Sequence, residues 1–184
     1  MAKIEPLAKF ILSFEGGFVN DPKDHGGATN KGVTIGTWRQ QGYDKNGDGR
    51  IDVKDLRLIS DADATEILRR CYWRRCRADE IKDQSIANLL VDWLWISGTP
   101  AVTITQALLG VTADGIMGKN TLSALNRHNP EAFFSRLKAR RKLYYERLVK
   151  SKPSQRRFIN GWLNRLDGIR YGSLVDNRGR EITW

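Results

Sequence analysis

The sequence predicts a mainly helical fold, α+β by strict count, with one small β-ribbon near residues 17–36. Apolar residues recur at three- and four-residue spacing through most of the chain, which is typical of amphipathic helices. The segment 17–36 is instead rich in Gly, Asp and Asn, which favour turns. The length of 184 residues suits one compact unit, and no repeat or low-complexity linker divides it.

In the first half, apolar residues from Ile4 to Leu12 predict a helix that reaches Glu15, and Gly16 stops it. Thr34 and Ser60 or Asp61 are candidate N-caps of later helices. The elements predicted after the first helix are a β-ribbon from 18–19 and 32–35, a helix to about 41, a loop at 44–55, a short helix at 53–59 and a helix at 61–76.

In the second half, Pro100 and Pro130 mark helix starts, because proline is favoured in the first helical turn. The helices predicted there cover residues 86–97, 100–110, 117–128, 130–150 and 155–168, and the tail 176–184 is predicted to be a loop. We expect residues 1–84 to form one part, with 44–55 as an insertion, and residues 85–184 to form a helical part packed on it as one unit.

The formal net charge of +10 indicates a polyanionic partner: nucleic acid, a membrane surface or an acidic cell-wall polymer. The chain has no recognition-helix, RNA-binding or zinc-finger signature, so nucleic acid is not the expected partner. The most apolar run, residues 86–96, contains Asp92 and is too short to cross a bilayer. The N-terminus lacks the pattern of a signal peptide, so we expect synthesis in the cytoplasm.

The two cysteines and two histidines do not form a metal or disulfide framework in the sequence. Cys71 and Cys76 lie in one predicted helix, about 7.5 Å apart along its axis, which is beyond disulfide reach. His25 and His128 are distant from each other and from the cysteines. We therefore expect reduced thiols and no zinc site.

Glu15 is the first candidate catalytic residue. It lies four residues after Ile11, on the apolar face of the first helix, and Gly16 and Gly17 follow it. Partial burial disfavours the charged form of a carboxyl group, and a carboxyl group that keeps its proton near neutral pH can act as a general acid. The alternative is an ordinary glutamate at a helix end that faces solvent.

The stretch "FEGGFVNDPKDHGGATNKGVTIGTW" resembles the N-terminal signature of glycoside hydrolase family 108, lysozymes (N-acetylmuramidases) often found in phages and prophages. Further on, "YWRRCRADEI" and "DGIMGKNTLSAL" resemble the C-terminal predicted peptidoglycan domain of that family. The resemblance spans about residues 5 to 170. It implies a lysozyme-like fold and cleavage of the bond between N-acetylmuramic acid and N-acetylglucosamine, with Glu15 as the general acid.

The resemblance also implies a second catalytic group, because glycoside hydrolysis normally uses a pair of carboxyl groups. Asp24 lies nine residues after Glu15, the spacing of phage-type lysozymes, and we favour it over its rival Asp21. Asp21 lies in an Asn-Asp-Pro turn and has a structural alternative. Thr29 and Thr34 occupy the place of the threonine in those enzymes. We interpret His25 as a variable loop residue and not as a catalytic one.

Two further residues are candidates for contact with substrate. Trp73 could form a wall of the cleft, although tryptophans are more often part of a core. Asp92 lies where the family often has an aspartate followed by an asparagine four residues on, but here Ile96 takes the second position. Asp92 therefore either lines the cleft or holds the fold from inside a helix. The predicted substrate-binding set is Asp21, Thr29, Thr34, Trp73 and Asp92.

The segment "DKNGDGRIDVKD" resembles an EF-hand or dockerin calcium loop. Gly49 occupies the position where such a loop turns sharply, and Asp55 replaces the usual glutamate at the last position. The alternative is a polar turn that binds nothing. We expect a structural Ca²⁺ that the chemistry does not require, held by Asp44, Asn46, Asp48, the Arg50 carbonyl, Asp52 and Asp55.

The leading hypothesis from the sequence is thus a peptidoglycan hydrolase. It would act on the cell wall or in the periplasm after lysis or after export by a phage holin or a secretion apparatus. A non-catalytic peptidoglycan-binding protein and a lytic transglycosylase are the alternatives.

Overall fold

The computed structural model of the chain describes residues 1–20 and 27–184, and it confirms a mainly helical fold. The helices in this part of the chain are α1 (Ile4–Phe14), α2 (Ile35–Gln41), α3 (Val53–Arg57), α4 (Asp61–Leu68), α5 (Gln84–Ser97), α6 (Pro100–Leu109), α7 (Lys119–Leu125), α8 (Pro130–Ser151) and α9 (Ile159–Asp167). A π-helix at Arg69–Trp73 continues α4, and 3-10 helices cover Ala78–Glu80 and Pro153–Phe158.

Two small antiparallel sheets accompany the helices. Strands β1 (Thr29–Asn30) and β2 (Val33–Thr34) form a hairpin in which Thr29 is opposite Thr34. An isolated bridge between Val19 and Thr29 extends this hairpin, in agreement with the predicted ribbon. Strands β3 (Ile169–Arg170), β4 (Ser173–Val175) and β5 (Glu181–Ile182) form a second sheet in the order β3-β4-β5. We call residues 169–182 the C-terminal meander.

The C-terminal meander differs from the predicted loop. Its strands have two or three residues each, too few to show the alternation that identifies a strand in sequence. Its stability comes from the rest of the fold, because Ile169 and Leu174 are completely buried in the main core. The predicted helix at 155–168 is also divided, since its first turn is a 3-10 helix and α9 starts at Ile159.

Helix α5 lies at the centre of the main hydrophobic core, which runs from Ala2 to Leu174 in sequence. All of its residues from Gln84 to Leu94 are buried, and α1, α6, α8 and β3 pack around it. A second apolar cluster joins the β1–β2 hairpin to α2, α3 and α4. Trp95, at the end of α5, packs against both clusters, so this residue marks their junction.

Both cysteines are free thiols, as the sequence predicts. Burial raises the pKa of the Cys76 thiol to about 12, so this group stays protonated and unreactive at neutral pH. None of the helices in residues 1–20 and 27–184 combines the length and apolar character needed to cross a bilayer.

Candidate active site

Glu15 is the residue that ends α1, and its extended backbone turns the chain away from the helix axis. Its side chain is only 17% exposed, whereas Gly16 and Gly17, which follow, are exposed. The helix therefore delivers one carboxyl group to the edge of the core, as its place on the apolar face predicts.

The two oxygens of the Glu15 carboxyl group have different surroundings. Oε1 accepts hydrogen bonds from Nε1 of Trp95 and from Arg165, each at 3.2 Å. Oε2 has no hydrogen-bond donor among the residues the structure describes. The sequence predicts apolar neighbours for Glu15, and this expectation is corrected: an arginine and an indole N–H hold one oxygen. The Arg165 guanidinium thus places a positive charge 3.2 Å from one oxygen of the Glu15 carboxyl group.

The turn of the β1–β2 hairpin covers the same carboxyl group. A Cβ added at Gly32 would lie 2.6 Å from Cδ of Glu15 and 2.6 Å from Cζ2 of Trp95. The φ of Gly32 is +75°, a left-handed conformation that side chains rarely adopt. Glycine is therefore needed at this position, because a side chain would collide with Glu15 and would strain the backbone. The turn of the hairpin thus restricts the position of the Glu15 carboxyl group.

A Gly32→Ala variant is expected to lose roughly tenfold or more of the hydrolytic activity that the sequence predicts, because the methyl group displaces the Glu15 carboxyl group. The strained φ should cost about 1–2 kcal/mol of unfolding free energy. Gly36→Ala is the matched control, since its Cβ meets nothing closer than 3.8 Å and its φ is unrestricted. Turbidity clearing of cell walls and chemical denaturation measure the two effects, and equal activity of both variants would contradict the assignment.

A groove of about 540 Å³ gives access to Glu15 from solvent. One side is formed by the last turns of α1 and the other by the C-terminal meander. The residues that line it are Lys9, Leu12, Ser13, Glu15, Asp61, Asp176, Arg178, Arg180, Glu181 and Ile182. Glu15 is thus a partly buried carboxyl group at the wall of an open groove, which is the arrangement that a polymer substrate requires.

Behind Glu15 lies a buried ion network. Oδ1 of Asp92 accepts hydrogen bonds from Arg165 at 2.8 and 2.9 Å, and Oδ2 accepts one from Arg141 at 2.6 Å. Asp92 and Arg141 are completely buried. Burial alone would raise the pKa of Asp92, but the two guanidinium groups overcome it and hold that pKa below its usual range. The network fixes Arg165, and Arg165 in turn holds Oε1 of Glu15.

The structure corrects the prediction that Trp73 and Asp92 bind substrate, because both side chains are buried. Trp73 has no exposed surface, and its Nε1 donates to Asp79 at 2.8 Å. Asp92 has no exposed surface either, and both of its oxygens are bonded to arginines. Neither side chain can reach a glycan in the groove. The alternative reading of Asp92, that it holds the fold from inside a helix, describes its contacts.

The other predicted site residues have different placements. Asp21 and Asp24 lie outside the described residues. Thr29 and Thr34 are partly buried partners in the hairpin, and neither lines the groove. The hydroxyl of Thr34 accepts from the N–H of Thr37 at 3.2 Å and so caps α2.

Sequence reasoning missed two residues that touch Glu15, namely Trp95 and Arg165. Trp95 lies three residues after Asp92, one helical turn away. Arg165 interrupts an apolar stripe three residues after Trp162 and one before Leu166. A charged residue on the apolar side of a helix is the signal that could have identified it, because such a residue needs a buried partner.

In the predicted calcium loop, the acidic side chains bind the amides of the loop itself. Asp44 accepts hydrogen bonds from the N–H groups of Gly47 and Gly49, each at 2.7 Å. Asp55 accepts from Asp52, Lys45 and Asn46, and these amides, that of Asp52 above all, keep its pKa below its usual range. The described residues contain no group of three or more His, Cys, Asp or Glu that could hold a metal ion.

Calcium binding by this loop stays a prediction. The carboxylate oxygens of the loop already accept hydrogen bonds from backbone N–H groups, so a Ca²⁺ ion would have to share these oxygens with those groups. Of the predicted ligands, Asp52 also caps α3 and Asp48 pairs with Lys54 at 3.5 Å. Calorimetric titration with Ca²⁺ would decide between a metal site and a polar turn.

Two family models match the chain. Residues 8–98 match the model described as glycosyl hydrolase 108, and residues 100–167 match the model described as predicted peptidoglycan domain. The chain is also similar to a solved structure from Brucella abortus, described as SagA, at 28% identity and a TM-score of 0.70. That similarity covers 89% of this chain and 90% of the other. None of the curated protein sequences matches the chain.

Proposed function

We propose that Glu15 is the general acid of this chain, whose residues 8–98 match the glycosyl hydrolase 108 model and whose residues 100–167 match the predicted peptidoglycan domain model. On these matches the chain is a glycoside hydrolase that cleaves peptidoglycan. The observation that carries the proposal is the placement of Glu15 at the wall of an open groove, where its carboxyl group is partly buried and held through Oε1. The bond that we propose for cleavage joins N-acetylmuramic acid to N-acetylglucosamine.

The proposed reaction begins with proton transfer from Glu15 to the glycosidic oxygen between the two sugars. We assign the proton to Oε2, because Oε1 already accepts from Trp95 and Arg165. As the C–O bond breaks, the leaving sugar keeps the proton and Glu15 becomes a carboxylate. Arg165 and the indole N–H then stabilise that negative charge, so the contacts strengthen as the bond breaks.

A second group must activate water or attack the sugar, and we propose Asp24 for this role, with Asp21 as the alternative. Both lie in the segment that joins α1 to the β1–β2 hairpin. The support for Asp24 is its spacing in the sequence, nine residues after Glu15, which is the spacing of phage-type lysozymes.

We further propose that residues 85–184 help to hold the glycan strand while residues 1–84 carry the chemistry. The two family matches meet between residues 98 and 100, close to the end of α5. Arg165 supports a close functional link between these parts, because it belongs to the second match and contacts Glu15 in the first. Access to the wall would follow lysis or export through a holin or secretion apparatus.

Mass spectrometry of digested peptidoglycan tests the proposed bond. We expect soluble fragments with a reducing-end N-acetylmuramic acid. Fragments that end in anhydro-muramic acid would instead identify a lytic transglycosylase, which also uses one acidic group. Binding to the wall without release of fragments would indicate a non-catalytic binding protein and would overturn the proposal.

A further inference from the structure

The C-terminal meander contributes half of the residues that line the groove of Glu15, although it lies beyond both family matches. The second match ends at residue 167, and the meander begins at Ile169. Its contribution to the groove is Asp176, Arg178, Arg180, Glu181 and Ile182. The opposite side comes from α1, through Lys9, Leu12 and Ser13. This segment therefore shapes the groove without belonging to either conserved model.

The meander is held firmly against α1. The N–H of Asn177 donates to the hydroxyl of Ser13 at 3.1 Å, which joins the β4–β5 turn to the helix that carries Glu15. The N–H of Val175 donates to the carbonyl of Gly168 at 2.7 Å. A Cβ at Gly168 would lie 2.5 Å from the carbonyl oxygen of Val175, so this approach requires glycine. The wall is thus a defined surface of the fold.

The turn between β4 and β5 presents arginine side chains in a fixed arrangement. The buried carboxylate of Asp176 accepts from the backbone N–H groups of Arg178 and Arg180, at 2.8 and 2.9 Å. It also pairs with the Arg180 side chain at 2.8 Å. Gly179, with a φ of +75°, allows the chain to reverse between the two arginines. Asp176 therefore orders the turn and neutralises one of its two cations.

Among the charged side chains that line the groove, the two basic residues Lys9 and Arg178 are available to bind a ligand. Asp61 is paired with Lys31 at 2.6 Å, and Asp176 is paired with Arg180. Lys9 and Arg178 are exposed, and neither makes an ion pair with another described residue. Glu181 is the exposed carboxylate on the same lining. An arginine from the meander and a lysine from α1 on one groove lining suit an anionic group carried by a chain that lies in the groove.

We propose that Arg178, with Lys9 on the facing wall, binds the carboxylates of the stem peptides that project from the glycan strand. This inference rests on the proposed function, because it assumes that the strand passes Glu15. In a strand that carries stem peptides, the lactyl carboxyl group of muramic acid is bound in the amide to the peptide, so the free carboxylates belong to the peptides. A guanidinium group binds a carboxylate through two parallel hydrogen bonds. The meander then gives the enzyme a preference for strands whose stem peptides carry free carboxylates.

The test compares Arg178→Gln with wild type on intact peptidoglycan and on peptidoglycan whose carboxyl groups have been converted to amides with a carbodiimide and ammonia. We expect the variant to show a KM about three- to fivefold higher on intact peptidoglycan with kcat unchanged, since exposed ion pairs have effects of this size. On the amidated polymer the two proteins should have equal KM values. Added salt should reduce the difference on intact peptidoglycan, because it screens exposed charges.

Arg156→Gln is the matched control, because it removes the same charge from an exposed 3-10 helix that does not line the groove. It should behave as wild type on both substrates. An equal loss for Arg178→Gln on both substrates, or no loss on either, would overturn the proposal. Pelleting assays with the Glu15→Gln protein, with and without Arg178→Gln, measure binding independently of hydrolysis. A wild type that binds but releases no fragments contradicts the proposed function, whereas equal binding of these two proteins contradicts the role of Arg178.

Discussion

A Glu15→Gln variant is expected to lose about 100- to 10,000-fold of the wild-type rate of peptidoglycan cleavage. The amide has nearly the same shape as the carboxyl group, but it cannot supply a proton to the leaving oxygen, and general acid catalysis contributes a factor of this size. The substituted side chain can still accept hydrogen bonds from Trp95 and Arg165 through its amide oxygen. Fragment release measured by mass spectrometry, together with wall binding by pelleting, gives the two readouts that separate chemistry from affinity.

Glu5→Gln provides the control for this variant. Glu5 lies on the first turn of α1, is 63% exposed and makes an ion pair with Arg69 at 3.5 Å. The Glu5→Gln substitution should leave the rate of cleavage unchanged. If Glu15→Gln keeps more than about a tenth of the activity, the proton donor lies elsewhere, and Asp21 and Asp24 become the first candidates. A large drop in melting temperature for Glu15→Gln would show that the residue serves the fold and not the chemistry.

The helical elements could be predicted from sequence because their signals are local. The apolar spacing of residues 4–12, the prolines at 100 and 130, and the apolar run of α5 each indicate a helix without knowledge of its neighbours. The C-terminal meander could not be predicted in this way. Its strands exist because Ile169 and Leu174 fit into a core built by α1 and α5, and a long-range contact of this kind leaves no periodic pattern in two or three residues.

Of the candidate site, Glu15 could be predicted from the sequence, but the residues that contact it could not. Glu15 is marked by its position on an apolar face and by the motif around it. Its partners Trp95 and Arg165 lie 80 and 150 residues further along the chain, and only the packed fold brings them to the carboxyl group. The predicted contact of Trp73 with substrate is wrong for the complementary reason, and of the two readings of Asp92 only the one inside the fold agrees with its burial. Residue type suggests a role in binding, but burial decides whether a ligand can reach the side chain.

An Asp92→Asn variant is expected to lose about 3–5 kcal/mol of unfolding free energy, because it removes the anion that balances two buried arginines. Arg141 has no exposed surface and its partners other than Asp92 are the neutral hydroxyl of Tyr145 and the carbonyl of Leu89. Of the two carboxylates that now pair with Arg165, only Glu15 would remain, at 3.2 Å. For a chain of this length, the loss corresponds to a decrease in melting temperature of roughly 6–20 °C.

Glu80→Gln is the control for charge removal at the surface. Glu80 pairs with Arg77 at 2.6 Å, but half of its side chain is exposed, and exposed pairs contribute little to stability. Urea denaturation at neutral pH should therefore show a large effect for Asp92→Asn and a small one for Glu80→Gln. Equal midpoints for Asp92→Asn and wild type would contradict the assignment of Asp92 to the core network.

The pH dependence of the Asp92→Asn effect follows from the direction of the pKa shift. The pKa of Asp92 is lower in the folded protein than its usual value of 3.8, so the unfolded chain binds the proton more readily. The stabilising contribution of Asp92 is then complete above about pH 4 and is lost as the pH falls through the folded pKa. The difference between variant and wild type should be constant from neutral pH down to about pH 5 and should shrink in stronger acid.

The same variant also tests whether the network matters for the chemistry, because Asp92 reaches Glu15 only through Arg165. Asp92 holds the Arg165 guanidinium through hydrogen bonds at 2.8 and 2.9 Å, and Arg165 in turn donates to Oε1 of Glu15 at 3.2 Å. In the folded variant a less firmly held guanidinium should leave the Glu15 carboxyl group less well oriented, so we expect kcat to fall roughly tenfold with KM unchanged. An unchanged kcat with reduced stability would limit Asp92 to the fold. A lower kcat at the same KM would make Asp92 a positioning residue that acts on Glu15 through Arg165.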